Sequence, residues 1–173
     1  MTSGEDHTIR DTLGGRMSGF EVRRMAAEMP ALSLFECLYD ADDRVARNAA
    51  WVLTHKPVSE ISTLPQDRLI DLAITTPGSA LRRLTLNLIE QQPMAAEEVR
   101  TDFLDFCLSH MVMLEEPPGV QSLCLKLAYR MCSLYPELMP EFVATLNLMP
   151  TEFYKPGLKY LIKKIKQSTT PNT

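Results

Sequence analysis

The sequence predicts an all-α protein, and three observations carry that prediction. The composition is helical: 173 residues hold only 7 Gly, with many Leu, Ala, Met and Glu and few β-branched runs. Apolar residues recur with helical spacing rather than in alternation. An amphipathic helix returns at offsets of 36, 39 and 38 residues, a period that means stacked helix pairs. Hydrophobic residues make up 45% and charged residues 23% of the chain, ordinary globular usage and too apolar for disorder. A length of 173 residues suits one domain with a substantial core.

Residues 1–17, ending in Gly14-Gly15, show mixed charge without periodicity and are expected to form a disordered tail. Ser18 and Glu21 make a capping box ahead of Phe20, Val22, Met25 and Ala26, and Pro30 closes that first helix. A second is expected from Ala31 to Tyr39, with Leu32, Leu34, Phe35 and Leu38 on one face, and Asp40, Asp42 and Asp43 supply caps for the next. The repeating helix covers Val45 to Leu53, Leu81 to Ile89, Val120 to Ala128 and Leu158 to Lys166. First and eighth positions are apolar in all four windows, two turns apart on one face: Val45 and Val52, Leu81 and Leu88, Val120 and Leu127, Leu158 and Ile165. The fourth position holds Leu84, Leu123 and Leu161 but Asn48 in the first copy, a polar departure.

A second amphipathic helix precedes each copy, built on Leu32 to Leu38, on Leu69 to Ala73, on Phe103 to Cys107 and on Leu138 to Leu146. Prolines mark the joints, Pro57 and Pro93 each 12 residues after an anchor, with Pro65 and Pro136 at the start of leading helices. The single helical-repeat domain is therefore expected over 18–167, with a loose tail over 168–173.

The windows DDRVARNAAWVL, SALRRLTLNLIE and GVQSLCLKLAYRM resemble the second helix of HEAT repeats, within the broad armadillo-like class, over about residues 31–166. HEAT second helices often begin with an Asp and a Val-Arg pair; Asp43, Arg44 and Val45 approximate this, while later copies carry Ser or Gly in place of Asp. The resemblance implies a right-handed α-solenoid of about four HEAT-like helix pairs, with the second helices lining a concave surface.

Charge is segregated between the two helix layers. The leading segments 57–76, 94–116 and 135–153 carry twelve acids and two bases, and the following segments 43–56, 79–92, 119–134 and 155–167 carry twelve bases and two acids. On the resemblance, the concave face is basic and presents Arg44, Arg47, Arg82, Arg83, Lys126, Arg130 and Lys163, with Lys159 and Lys164 beside the last. Arg47 and Arg83 share the third window position, so stacking sets them in a ladder about 10 Å apart. Trp51, the only tryptophan, lies one turn beyond Arg47. Two readings follow. Arginines beside an indole suit an acidic or phosphate-bearing partner; alternatively Trp51 packs on a neighbouring helix and the bases pair with acids of the other layer, each exposed pair contributing about 0–1 kcal/mol.

No catalytic constellation is visible. His7, His55 and His110 have no metal-ligand spacing, and His55 and His110 suit helix C-termini. The acids Glu98, Asp102 and Asp105 read as a solvated face, and no glycine-rich loop cradles a phosphate. Cys37, Cys107, Cys124 and Cys132 lack zinc or redox spacing and are expected to be reduced core thiols. No metal, cofactor or membrane contact is expected, and neither a signal peptide nor an apolar run of about 20 residues is present, so cytoplasm is the expected compartment.

The favoured function is a non-enzymatic interaction module for an acidic peptide or protein. Nucleic-acid binding is the alternative, since the chain resembles the HEAT-like DNA alkylation-repair glycosylases in repeat architecture and in carrying Trp and Arg on a second helix. A net charge of −4 opposes binding driven by overall charge, and the carboxylate and further aromatic residues of a glycosylase cleft are missing. A structural or self-associating subunit is the third class, with Met111, Met113, Met131, Met139 and Met149 as an adaptable surface or as core fillers.

Overall fold

The computed structural model describes residues 2–170, with side chains from Thr8 onward; Met1 and residues 171–173 lie outside the described residues. Among the described residues there are helices and no strand, as an all-α chain requires. The helices gather into two compact units, Met1–Pro93 and Met94–Thr173.

In the first unit, α1 (Thr2–Gly14), α2 (Gly19–Glu28) and α3 (Ala31–Glu36, continued as a 3-10 turn Cys37–Tyr39) all pack on α4 (Asp43–Leu53). The short α5 (Val58–Ile61) and α6 (Gln66–Thr75) pack on α7 (Ser79–Gln91), and α7 also packs on α4. The second unit pairs α8 (Thr101–Val112) with α9 (Pro118–Leu134) and α10 (Met139–Asn147) with α11 (Pro156–Thr169), and α9 touches both helices of the latter pair. The four repeating windows fall on α4, α7, α9 and α11. All eight anchor residues, Val45, Val52, Leu81, Leu88, Val120, Leu127, Leu158 and Ile165, are buried. A helix face exposed to water at those positions would leave roughly 1.5–3 kcal/mol per side chain unrealised, which is why the periodicity survives in the sequence. Met111, Met131 and Met149 are buried as core fillers, whereas Met113 is exposed.

The helix ends follow local chemistry. The capping box at α2 is closed by the Glu21 amide donating to Ser18 Oγ (3.3 Å) and the Ser18 amide donating to Glu21 Oε2 (2.7 Å). Asp42 caps α4 by accepting from the Arg44 amide at 2.8 Å. Gln92, buried just past α7, donates from Nε2 to the carbonyls of Ile61 and Leu64, both at 2.9 Å, and so ties the end of α5 to the end of α7. In the second unit, Tyr135 Oη donates to the Ala96 carbonyl at 2.6 Å, fastening the end of α9 to the 3-10 turn Ala96–Glu98.

The tail expected over residues 1–17 is corrected by the structure, which holds α1 there. Leu13 is fully buried, and Arg10 grips Asp40 through two hydrogen bonds, Nε to Oδ2 at 2.6 Å and Nη2 to Oδ1 at 3.0 Å. Asn48 donates from Nδ2 to the carbonyls of Leu13 (2.7 Å) and Gly15 (3.1 Å), satisfying acceptors that the end of α1 leaves open. The polar departure in the first repeating window is therefore the clasp for the N-terminal helix. At the other end, α11 runs through Thr169, two residues past the expected limit at 167, and the rest of the expected C-terminal tail, from 171 on, lies outside the described residues. The single helical-repeat domain expected over 18–167 stands as an expectation beside the two compact units, the first of which includes α1.

The Arg10 guanidinium, with the Asp42 amide, holds the Asp40 carboxyl below its usual value. A depressed carboxyl stabilises above its unfolded value and loses that contribution as pH falls through the folded one. Amide protection over residues 8–14 is accordingly expected to persist at pH 6 and to fall below about pH 4, near the ordinary aspartate range; hydrogen exchange at the two pH values checks it.

No disulfide joins the four cysteines, of which Cys107, Cys124 and Cys132 are buried and Cys37 is half-buried. Burial pushes the Cys107 thiol well up, and the Cys132 thiol is pushed up to about 11. Native alkylation near pH 8 should therefore modify Cys37 first, with the other three reacting only after denaturant is added, as peptide mass mapping would show.

Candidate binding site

The basic residues expected on the second helices divide into three groups. Arg44 and Arg47 on α4 and Arg83 on α7 line one pocket of about 510 Å³. Trp51 lines it as well, one turn beyond Arg47, and so does Asn48. The link between α1 and α2 completes the wall with Gly15, Arg16 and Met17, while Ala80 and Leu84 contribute from α7. Four arginines thus line one pocket within the first unit, and no carboxylate residue is among those lining it.

Arg47 is held by its own helix, with Nε 3.1 Å from Asp43 Oδ2 and donating to the Asp43 carbonyl at 3.4 Å. This pair is exposed at both ends, so it contributes little to stability and yields readily to a stronger anion. Among the described residues, no ion pair involves Arg16, Arg44 or Arg83. The first turns of α4 and α7 both border the pocket. Asp42 caps the former, whereas Gly78 at the N-cap of α7 brings no side-chain hydrogen bond. The Asp43 carboxylate lies beside that end of α7, its Oδ1 3.7 Å from the point a Cβ on Gly78 would occupy. Trp51 is half-exposed, its carbonyl accepts from Thr54 Oγ1 at 2.6 Å and lies 3.0 Å from His55 Nδ1, and its ring meets His55 edge-on with centroids 6.5 Å apart.

Arg82 belongs elsewhere. Its guanidinium donates to the carbonyls of Ala73 (3.3 Å, from Nε) and Thr76 (2.6 Å, from Nη2), closing the C-terminus of α6. Lys126 and Arg130 on α9 and Lys163 on α11 are residues of the second unit. Lys163 borders a shallower pocket of about 420 Å³ with Lys159 and Lys166, where Glu152 is also present. Arg16 was not among the residues singled out from sequence, since it sits in the stretch without periodicity. Asn48 was visible there only as a break in an apolar stripe.

Among the described residues no three His, Cys, Asp or Glu side chains gather to hold a metal. The Glu98 carboxylate accepts from the Ala95 amide at 2.8 Å, and Asp102 pairs with Arg100 at 2.6 Å. His110 lies 2.7 Å from Glu116 Oε1 and stacks on Phe106 with centroids 3.9 Å apart, which ties the end of α8 to the loop before α9. No described helix is long and apolar enough to cross a membrane.

Paired helices with buried second-helix anchors and a cationic pocket define an all-α helical-repeat protein. The family model described as a HEAT repeat domain matches residues 9–169, and the chain belongs to that family. No curated protein and no solved structure matches it.

Proposed function

We propose that this chain is a non-enzymatic interaction module that holds an acidic peptide or protein in the arginine pocket of its first unit. Membership of the HEAT repeat domain family fits a helical-repeat interaction protein. The observation that carries the finer reading is the meeting of Arg16, Arg44, Arg47 and Arg83 in one pocket without a lining acid. With Asp43 paired to Arg47 alone, the gathered cations still repel one another, and an acidic ligand relieves that repulsion. Trp51 supplies an apolar wall on which the ligand's main chain rests. Cytoplasm is the proposed compartment, since buried free thiols suit a reducing environment.

The test is selection from a displayed random-peptide library by the full chain and by an Arg47→Glu, Arg83→Glu double variant checked for native circular dichroism. Wild-type protein is expected to enrich Asp- and Glu-rich peptides, and the variant to lose them. Enrichment of the same peptides by both proteins, or of peptides without acids, removes the pocket as the binding site. Tight retention of duplex DNA at low salt, lost steeply with added salt, would replace the acidic partner with nucleic acid.

A further inference from the structure

We infer that the arginine pocket is built for a doubly charged phosphoryl group, carried as phosphoserine or phosphothreonine by the partner; this deepens the binding reading above and rests on it. The charge balance points that way. Four arginines line one pocket, and Asp43 pairs with only one of them, Arg47. A carboxylate side chain brings a single negative charge and two oxygens. A phosphorylated side chain brings a charge of about −1.5 to −2 and three acceptor oxygens, enough to engage more than one guanidinium at once.

The choice of cation agrees. All four charged residues of the pocket are arginines, although the chain places five lysines between 155 and 166. Arginine presents a rigid, planar fork that matches phosphoryl oxygens in bidentate fashion, whereas lysine acts as a point charge.

A nucleic-acid backbone fits less well. Its phosphates form a continuous line and call for an extended basic stripe, whereas these arginines share one pocket of about 510 Å³ on a chain of net charge −4. A single phosphoryl group with an acidic peptide around it suits a local cluster of this kind.

The experiment is a titration of the full chain with a short peptide holding one phosphoserine between glutamates, with the same peptide carrying glutamate or serine instead, with inorganic phosphate, and with a short single-stranded DNA. Calorimetry gives affinity, and emission from Trp51, the only tryptophan, places binding at the pocket. The phosphoserine peptide is expected to bind at least about tenfold tighter than its glutamate counterpart, the scale of an added charge-assisted bidentate contact. Arg83→Ala should erase most of that difference, while Arg24→Ala, an exposed arginine outside the pocket, should leave it. Equal binding of phosphoserine and glutamate peptides overturns the phosphoryl inference and leaves the acidic-partner reading standing. Absence of binding by both the phosphopeptide and inorganic phosphate also overturns it, and the peptide selection then judges the broader reading alone. Tighter binding of the DNA than of the phosphopeptide overturns it in favour of backbone phosphates.

Discussion

Replacing Phe103 by alanine is expected to remove about 3–5 kcal/mol of stability. Phe103 is fully buried on α8, on the face that also buries Leu104, Cys107 and Met111. That face packs on α9, whose Val120, Leu123, Cys124, Leu127, Ala128 and Met131 are buried in turn. The Phe103 ring lies nearly parallel to that of Phe106, with centroids 6.4 Å apart, so its loss opens a cavity and also ends an aromatic contact. Urea denaturation followed by circular dichroism measures the change. Phe153→Ala provides the contrast, since that ring is 72% exposed and its removal should shift stability by no more than about 0.5 kcal/mol. A loss at Phe103 below about 1 kcal/mol would mean that the α8–α9 contact is not where this unit holds its core.

The same contact explains what was legible in the sequence. The anchors at the first and eighth window positions stand two turns apart because one face of each second helix must leave water, and burial at those positions is a local property of each helix. Leading helices, proline joints and the Ser18–Glu21 capping box are likewise written in short stretches of chain. The first helix is not. Its described part offers Leu13 and the half-buried Ile9 as apolar side chains, too few for a periodic signal. Its fastenings are Asp40, 30 residues from Arg10, and Asn48, 35 residues from Leu13. Contacts across such separations leave no mark in a helical pattern. The short α5 escaped for a similar reason: four residues are less than two turns.

Charge segregation was legible, but the destinations of the individual bases were not. Arg82 and Arg83 are neighbours in sequence, yet Arg82 closes the end of α6 while Arg83 faces the pocket, since adjacent helical residues point about 100° apart. Arg16 joins the pocket through the docking of α1, whose stretch of sequence has no periodicity to mark it as a helix.

Asn48→Leu sets these two levels against each other. The other three windows carry leucine at this position, and leucine is the better helix former, so the repeat pattern alone predicts a more stable α4. The structure predicts the reverse for α1. Without Nδ2, the carbonyls of Leu13 and Gly15 lose their donor, at a cost of about 1–3 kcal/mol where water cannot fully replace it. Hydrogen exchange should then show amides 8–14 losing protection while those of α6 and α7 keep theirs. Affinity for anionic peptides should fall as well, although Arg44, Arg47 and Arg83 are untouched, because Gly15, Arg16 and Met17 form their share of the pocket only while α1 is held. If the leucine variant keeps its protection and binds as before, then Leu13 and the Arg10–Asp40 pair suffice to dock α1. If protection is lost and binding is unchanged, Arg16 is not part of the working site, and the three arginines of α4 and α7 carry the anion by themselves.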